Sequence, residues 1–120
     1  MQIILAFESE NEAMAENRVV ELIGRIDAAT SAAVEANIDS TLDATPAALI
    51  LDFTKVTFVS SMGLRVLLMA AKRCRKQNAR LALHSVSPEI VKLFELSGLN
   101  AFFPIYSSRE AALTTSAQSL

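Results

Sequence analysis

Histidine, cysteine and tryptophan are almost missing from this chain, and each scarcity removes a class of chemistry. There is one histidine, His84, one cysteine, Cys74, and no tryptophan in 120 residues. A single histidine cannot supply the histidine pair of a common metal site, and metal-ligand cysteine spacing is absent. Neither a metal nor a cofactor is expected. Cys74 cannot close an internal disulfide, and it falls on the apolar face of a helical pattern, where a small buried hydrophobe is the expected role. Glycine is also scarce, three in all. The Gly-rich loops that cradle phosphates do not occur, nor does a Gly-x-Ser-x-Gly nucleophile elbow. His84 lies within a strand pattern and reads as a half-exposed sheet residue. No apolar run is long enough to span a bilayer, and the N-terminal residues lack a basic segment leading into a long apolar core. Neither membrane insertion nor a secretory leader is therefore expected, and the cytoplasm is the expected location. A large excess of either charge is lacking too: the net charge is −2, with both signs interspersed. That balance gives no reason to expect nucleic acid as a partner.

What is present is enough apolar residue, 52% of the chain, to pack a core in a domain of this length. Ile3-Ile4-Leu5-Ala6-Phe7 and Arg18-Val19-Val20-Glu21-Leu22-Ile23 read as strands joined by a polar, acid-rich link from Glu8 to Asn17. Gly24 punctuates the second strand, and Asp27 or Thr30 can cap a helix in which Val34, Ile38 and Leu42 repeat. Glu35, Asp39 and Asp43 follow on an adjacent face, expected to be solvated. Pro46 ends that helix, and Ala48-Leu49-Ile50-Leu51-Asp52-Phe53 reads as a buried strand. A long helix over roughly 62 to 77 comes next, with an outward, mostly basic row of Arg65, Met69, Lys72, Arg73 and Lys76 and Arg75 near its edge, also expected to face solvent. Arg80-Leu81-Ala82-Leu83-His84 is another strand. Ser87-Pro88-Glu89 is a helix start, and Gly98 is placed to end that helix. Pro104 marks a last strand over 101–106 as an edge strand. A short helix begins at Ser108. The pattern predicts a single α/β domain over 1–113, a mixed sheet of four to five strands with about four helices, and a polar tail over 114–120.

The chain is organised around Phe58-Val59-Ser60-Ser61-Met62-Gly63-Leu64, where a strand pattern gives way to a helical one. Leu64, Leu67, Leu68, Ala71 and Cys74 recur at spacings of three and four, the mark of a helix with one apolar face. Ser60 and Ser61 stand at its start, where a hydroxyl can accept from the unpaired first N–H groups. A serine held there is either a helix cap or a place to put a phosphate.

The same stretch resembles the signature loop of the STAS domain (sulfate transporter and anti-sigma-factor antagonist), in which a strand leads into Asp-Ser-(Ser/Thr)-Gly-Leu and a long helix. Ser60 falls on the family's Asp, Ser61 on its phosphorylated serine and Met62 on the small residue after it, while Gly63 and Leu64 match directly. Leu22-Ile23-Gly24-Arg25-Ile26-Asp27 resembles the family's Gly-Glu-Leu-Asp turn, with Arg25 in place of Glu. The stretch from Ser87 to Leu99 resembles its penultimate helix and cap. The resemblance implies an anti-sigma-factor antagonist, not an enzyme, with no catalytic residue. It would bind an anti-sigma factor that is also a serine kinase, be released when Ser61 (in the alternative register, Ser60) is phosphorylated, and be reset by a serine phosphatase. The implied docking surface comprises Gly24, Asp27, Ser60, Ser61, Met62, Gly63 and Arg65. The alternative is a STAS scaffold subunit that is never phosphorylated and packs permanently within a larger signalling or transport assembly. A hydrolase using Ser61 and His84 lacks every supporting motif.

Overall fold

The computed structural model describes residues 2–6 and 17–115. Its elements run β1 (Gln2–Ala6), β2 (Asn17–Ile26), α1 (Ser31–Asp43), β3 (Ala48–Val59), α2 (Ser61–Lys76), β4 (Arg80–His84), α3 (Pro88–Leu96), a 3₁₀ turn (Asn100–Phe102), β5 (Ile105–Tyr106) and α4 (Arg109–Thr115). The five strands form one sheet in sequence order, β1 antiparallel to β2 and every later neighbour parallel. The mixed α/β architecture expected from the sequence is the observed one. Phe7 of the expected first strand, the acid-rich link as far as Glu16 and residues 116–120 of the expected tail lie outside the described residues, whereas Thr114 and Thr115, expected in that tail, belong to α4.

The two faces of the sheet carry separate cores because side chains alternate along each strand. On one face Leu49, Leu51 and Phe53 of β3 and Leu81 and Leu83 of β4 meet Val34, Ile38 and Leu42 of α1, Val66, Leu67, Ala70, Ala71 and Cys74 of α2, and Ile90 and Phe94 of α3. Phe94 anchors this core, edge-on to Phe53 at 6.4 Å and tilted against Phe103 at 4.8 Å. Val66 and Ala70 belong to the buried stripe of α2, whereas Leu64 only flanks it. Cys74 is buried there, and burial pushes its thiol pKa up to about 11. On the opposite face Val19, Ala48, Ile50 and Ala82 are covered by Ala112 of α4.

Several expectations are corrected. β2 and β3 run further than their apolar runs, to Ile26 and Val59, because register shifts at Glu21/Ile23 and Gly24/Arg25 let the pair continue past the point where strict alternation fails. β5 is shorter than expected: the 3₁₀ turn takes Asn100–Phe102, leaving Ile105–Tyr106 at the edge of the sheet. His84 is 3% exposed rather than half-exposed, since the even-numbered side chains of β4 face the layer that α4 covers. The acidic and basic rows of α1 and α2 are not simply solvated. Arg73 bridges them, to Asp39 at 3.2 Å and Asp43 at 2.6 Å. Thr30 is the N-cap of α1, as one of the two expected candidates, but without a side-chain bond to the helix; the Asp27 carbonyl accepts from the Thr30 and Ser31 amides.

Candidate functional site

The long parallel pair β2–β3 carries the site, because both strands end together. Ile26 pairs with Val59, and the Ser60 amide then donates to the Ile26 carbonyl at 2.9 Å. The chain turns there into α2. The Ser60 hydroxyl accepts from the Gly63 amide at 3.2 Å and the Leu64 amide donates to the Ser60 carbonyl, so Ser60 is the N-cap. Ser61 is the first helical residue and is exposed. The two serines therefore differ: Ser60 caps the helix, and Ser61 is an exposed residue of its first turn.

Gly63 explains how the helix can start so close to the sheet. It is buried, and a β-carbon added to it would run into the Ile26 carbonyl oxygen and stand 3.0 Å from a Val59 methyl. Gly24 has φ 87°, the left-handed region, at the register shift that brings Arg25 opposite Phe58. Asp27 follows Ile26 and builds a tight turn: its carboxylate accepts from the Ala29 amide at 3.0 Å and contacts the Thr30 hydroxyl at 3.3 Å. Arg25 donates to it at 3.2 Å, the main reason its pKa lies below the usual aspartate value.

The expected residues divide by exposure. Ser61, Met62 and Arg65 are exposed, Gly24, Asp27 and Ser60 half-buried, and Gly63 buried. Gly63 packs against Ile26 and Val59, while the others come from the end of β2, the turn that follows it and the start of α2. Sequence reasoning missed one member of this surface, Phe58; Arg25 lies within the loop around Gly24 to Asp27 that the family resemblance already included. Phe58 is 40% exposed and Met62 46%, and the Arg25 guanidinium lies 4.1 Å from the Phe58 ring centre. The signal for Phe58 was hidden because Thr57 is the extra residue at the register shift, so Phe58 is exposed where strict alternation from Val56 would bury it, and Val59 is buried instead.

Asp52 is not part of this surface. It is buried mid-strand on the α4 side, where Thr54 donates to it through its amide at 2.9 Å and its hydroxyl at 2.6 Å, and Arg109 approaches at 3.5 Å. His84 stands 3.8 Å from it, an electrostatic contact rather than a hydrogen bond, with its other ring nitrogen bonded to Ser85. Burial works to raise the Asp52 pKa, but the Thr54 bonds and the charges of His84 and Arg109 bring it below the usual value. The histidine's partners are thus Ser85 and Asp52, and nothing joins it to Ser61. Among the described residues, no group of three or more His, Cys, Asp or Glu could hold a metal, and no helix is long and apolar enough to cross a membrane.

Comparison with known proteins points the same way as the geometry. Residues 9–112 match the STAS domain. BtrV of Bordetella bronchiseptica, assigned by name as an anti-sigma factor antagonist, is 35% identical over 91 residues, covering 76% of this chain and 78% of that protein. An anti-sigma F factor antagonist of Paenibacillus polymyxa is 30% identical over 97 residues, 80% of this chain and 83% of that one. The crystal structure of an anti-sigma factor antagonist from Mycobacterium paratuberculosis aligns with a TM-score of 0.82 at 26% identity, covering 97% of this chain and 93% of that chain.

Proposed function

The chain belongs to the STAS domain family, and from that premise we propose that it is an anti-sigma-factor antagonist working by partner exchange. Unphosphorylated, it binds an anti-sigma factor that is also a serine kinase; phosphorylation of Ser61 releases it, and a serine phosphatase restores it. The observation that carries this reading is the difference between the two serines at the junction: Ser60 is committed to the cap while Ser61 is exposed at the start of α2. A phosphate there adds about −1.5 to −2 charges and three acceptor oxygens. A helix start tolerates that charge, favouring it by roughly 0.3–1 kcal/mol. The domain stays folded, and the effect falls on whatever docks over Phe58, Met62 and Arg65, through bulk, charge and desolvation.

The rest of the reading follows from the same surface. The docking residues are Gly24, Asp27, Ser60, Ser61, Met62, Gly63 and Arg65, within one domain over 1–113. The protein binds rather than catalyses, in the cytoplasm, and has no nucleic acid among its partners. Peptide mass spectrometry of protein from its native cells, with and without phosphatase treatment, is the deciding experiment. Removable phosphate on Ser61 supports the switch, and phosphate on Ser60 moves the acceptor by one residue. With neither modified under growth, starvation or stress, Ser61 reverts to a plain helix residue. The exposed Phe58 and Met62 side chains would then favour a second reading, a scaffold subunit packed permanently in a larger assembly. In a pull-down with the kinase, Ser61→Ala is expected to stay bound and Ser61→Asp to bind poorly; equal binding by both would sink the switch.

A further inference from the structure

We infer that phosphorylated Ser61 is clamped within the chain by Arg25 and Arg65, and that the clamp rebuilds the docking surface by drawing Arg25 away from Phe58. The inference rests on the reading of Ser61 as phosphoacceptor and names how that modification is transmitted.

Two independent placements support it. Arg65 follows Ser61 by one helical turn, so the two side chains share a face of α2, and both residues are exposed. An anion placed four residues before a cation is the favourable order along a helix. No acidic residue lies in the first turn of α2 to compete for Arg65. The second cation comes from β2. The Ser60 amide bonded to the Ile26 carbonyl and the fit of Gly63 against Ile26 fasten the end of β2 to the start of α2. Arg25 immediately precedes Ile26 and has a side chain 59% exposed. It stands opposite Phe58, three residues before Ser61.

The present contacts of Arg25 are ones it can leave. It holds the Asp27 carboxylate through Nε at 3.2 Å and lies over the Phe58 ring. An exposed single-contact ion pair is weak. Asp27 keeps the Ala29 amide and the Thr30 hydroxyl when Arg25 departs. A phosphate offers more charge than a carboxylate and oxygens spaced for the planar guanidinium fork. The phosphorylated face would then lose two cations to an internal ion cluster and gain an uncovered Phe58. A partner reading this face through acidic groups set beside apolar ones meets a different surface in each state.

The test is phosphorus NMR on the full chain carrying phosphoserine at position 61, installed during synthesis so that no kinase is needed. The second ionisation of phosphoserine lies near 6. A nearby cation favours the dianion and lowers that value. The expected result is an apparent pKa that rises by a few tenths of a unit, the scale of an exposed ion pair, in Arg25→Gln and in Arg65→Gln. It should rise further in the double variant and fall back in Arg25→Lys. Phosphorylation should also shift the Phe58 ring signals in the parent chain and not in Arg25→Gln. A pKa unmoved by either substitution, in variants whose amide spectra show an intact fold, overturns the clamp. Because the phosphate is placed chemically, a failed clamp leaves the switch standing, and a serine unmodified in cells sinks the switch without touching the clamp.

Discussion

Gly63 is the residue on which the approach of α2 to the sheet depends. Its missing side chain leaves space that the Ile26 carbonyl already occupies, and a backbone atom cannot swing aside as a flexible side chain can. Gly63→Ala is expected to cost about 1–3 kcal/mol, the usual range for forcing extra volume into a packed site. The measurement is the urea midpoint, which should fall with an unchanged m-value. His84 makes a pH-dependent contribution of definite sign. Burial, followed by the opposing charge effects of Asp52 and Arg109, leaves its pKa below the ordinary histidine value. The unfolded chain therefore binds this proton more readily than the folded one. Stability is full above the unfolded value, about 6.5, and declines as pH falls through it toward the lower folded pKa. Since His84 is the chain's only histidine, urea midpoints between pH 8 and 5 should show this decline, and His84→Gln should flatten it. An unchanged slope in the variant would mean that the histidine is not the group responsible.

At the scale of elements, α2 is held at both ends and along its side. Ser60 caps its start, Arg73 ties it to α1, and Gln77 donates to the Leu42 carbonyl at 2.9 Å just past its end. Ser60→Ala is expected to cost about 1 kcal/mol through loss of the cap, and Ser60→Asp to keep most of that stability because a carboxylate can accept the same amide. Thermal midpoints of the two variants check this ordering. The pair also separates cap from acceptor, since both substitutions change the cap and neither removes the Ser61 hydroxyl.

For the whole molecule, modification at Ser61 is expected to change association and leave folding intact. The unfolding midpoint of the phosphorylated chain should stay within a few degrees of the unmodified one, as a change below about 1 kcal/mol allows in a domain of this size. Much of this architecture was legible in the sequence. Ser87 and Pro88 fixed the start of α3, Gly98 in the left-handed region ends it, and the run Arg80–His84 gave β4 without error. The illegible parts have physical causes in common. The lengths of β2 and β3, the exposure of Phe58 and the position of Arg25 all depend on register shifts between two distant segments, which leave no mark on the periodicity of either. The burial of His84 depends likewise on α4 returning to the far face of the sheet. As for the site, the Ser60–Ser61 junction was plain from local pattern, but which serine caps was decided only by the hydrogen bond to Gly63.

Cys74 turns the same helix into its own timekeeper. Its thiol lies in the core beneath α2, with a pKa of about 11 that leaves almost no thiolate at neutral pH. An alkylating reagent must wait until α2 lifts from the sheet, so the labelling rate at saturating reagent counts those openings directly. A switch confined to the surface leaves that count unaltered when Ser61 is phosphorylated; a switch that worked by loosening the helix would speed it.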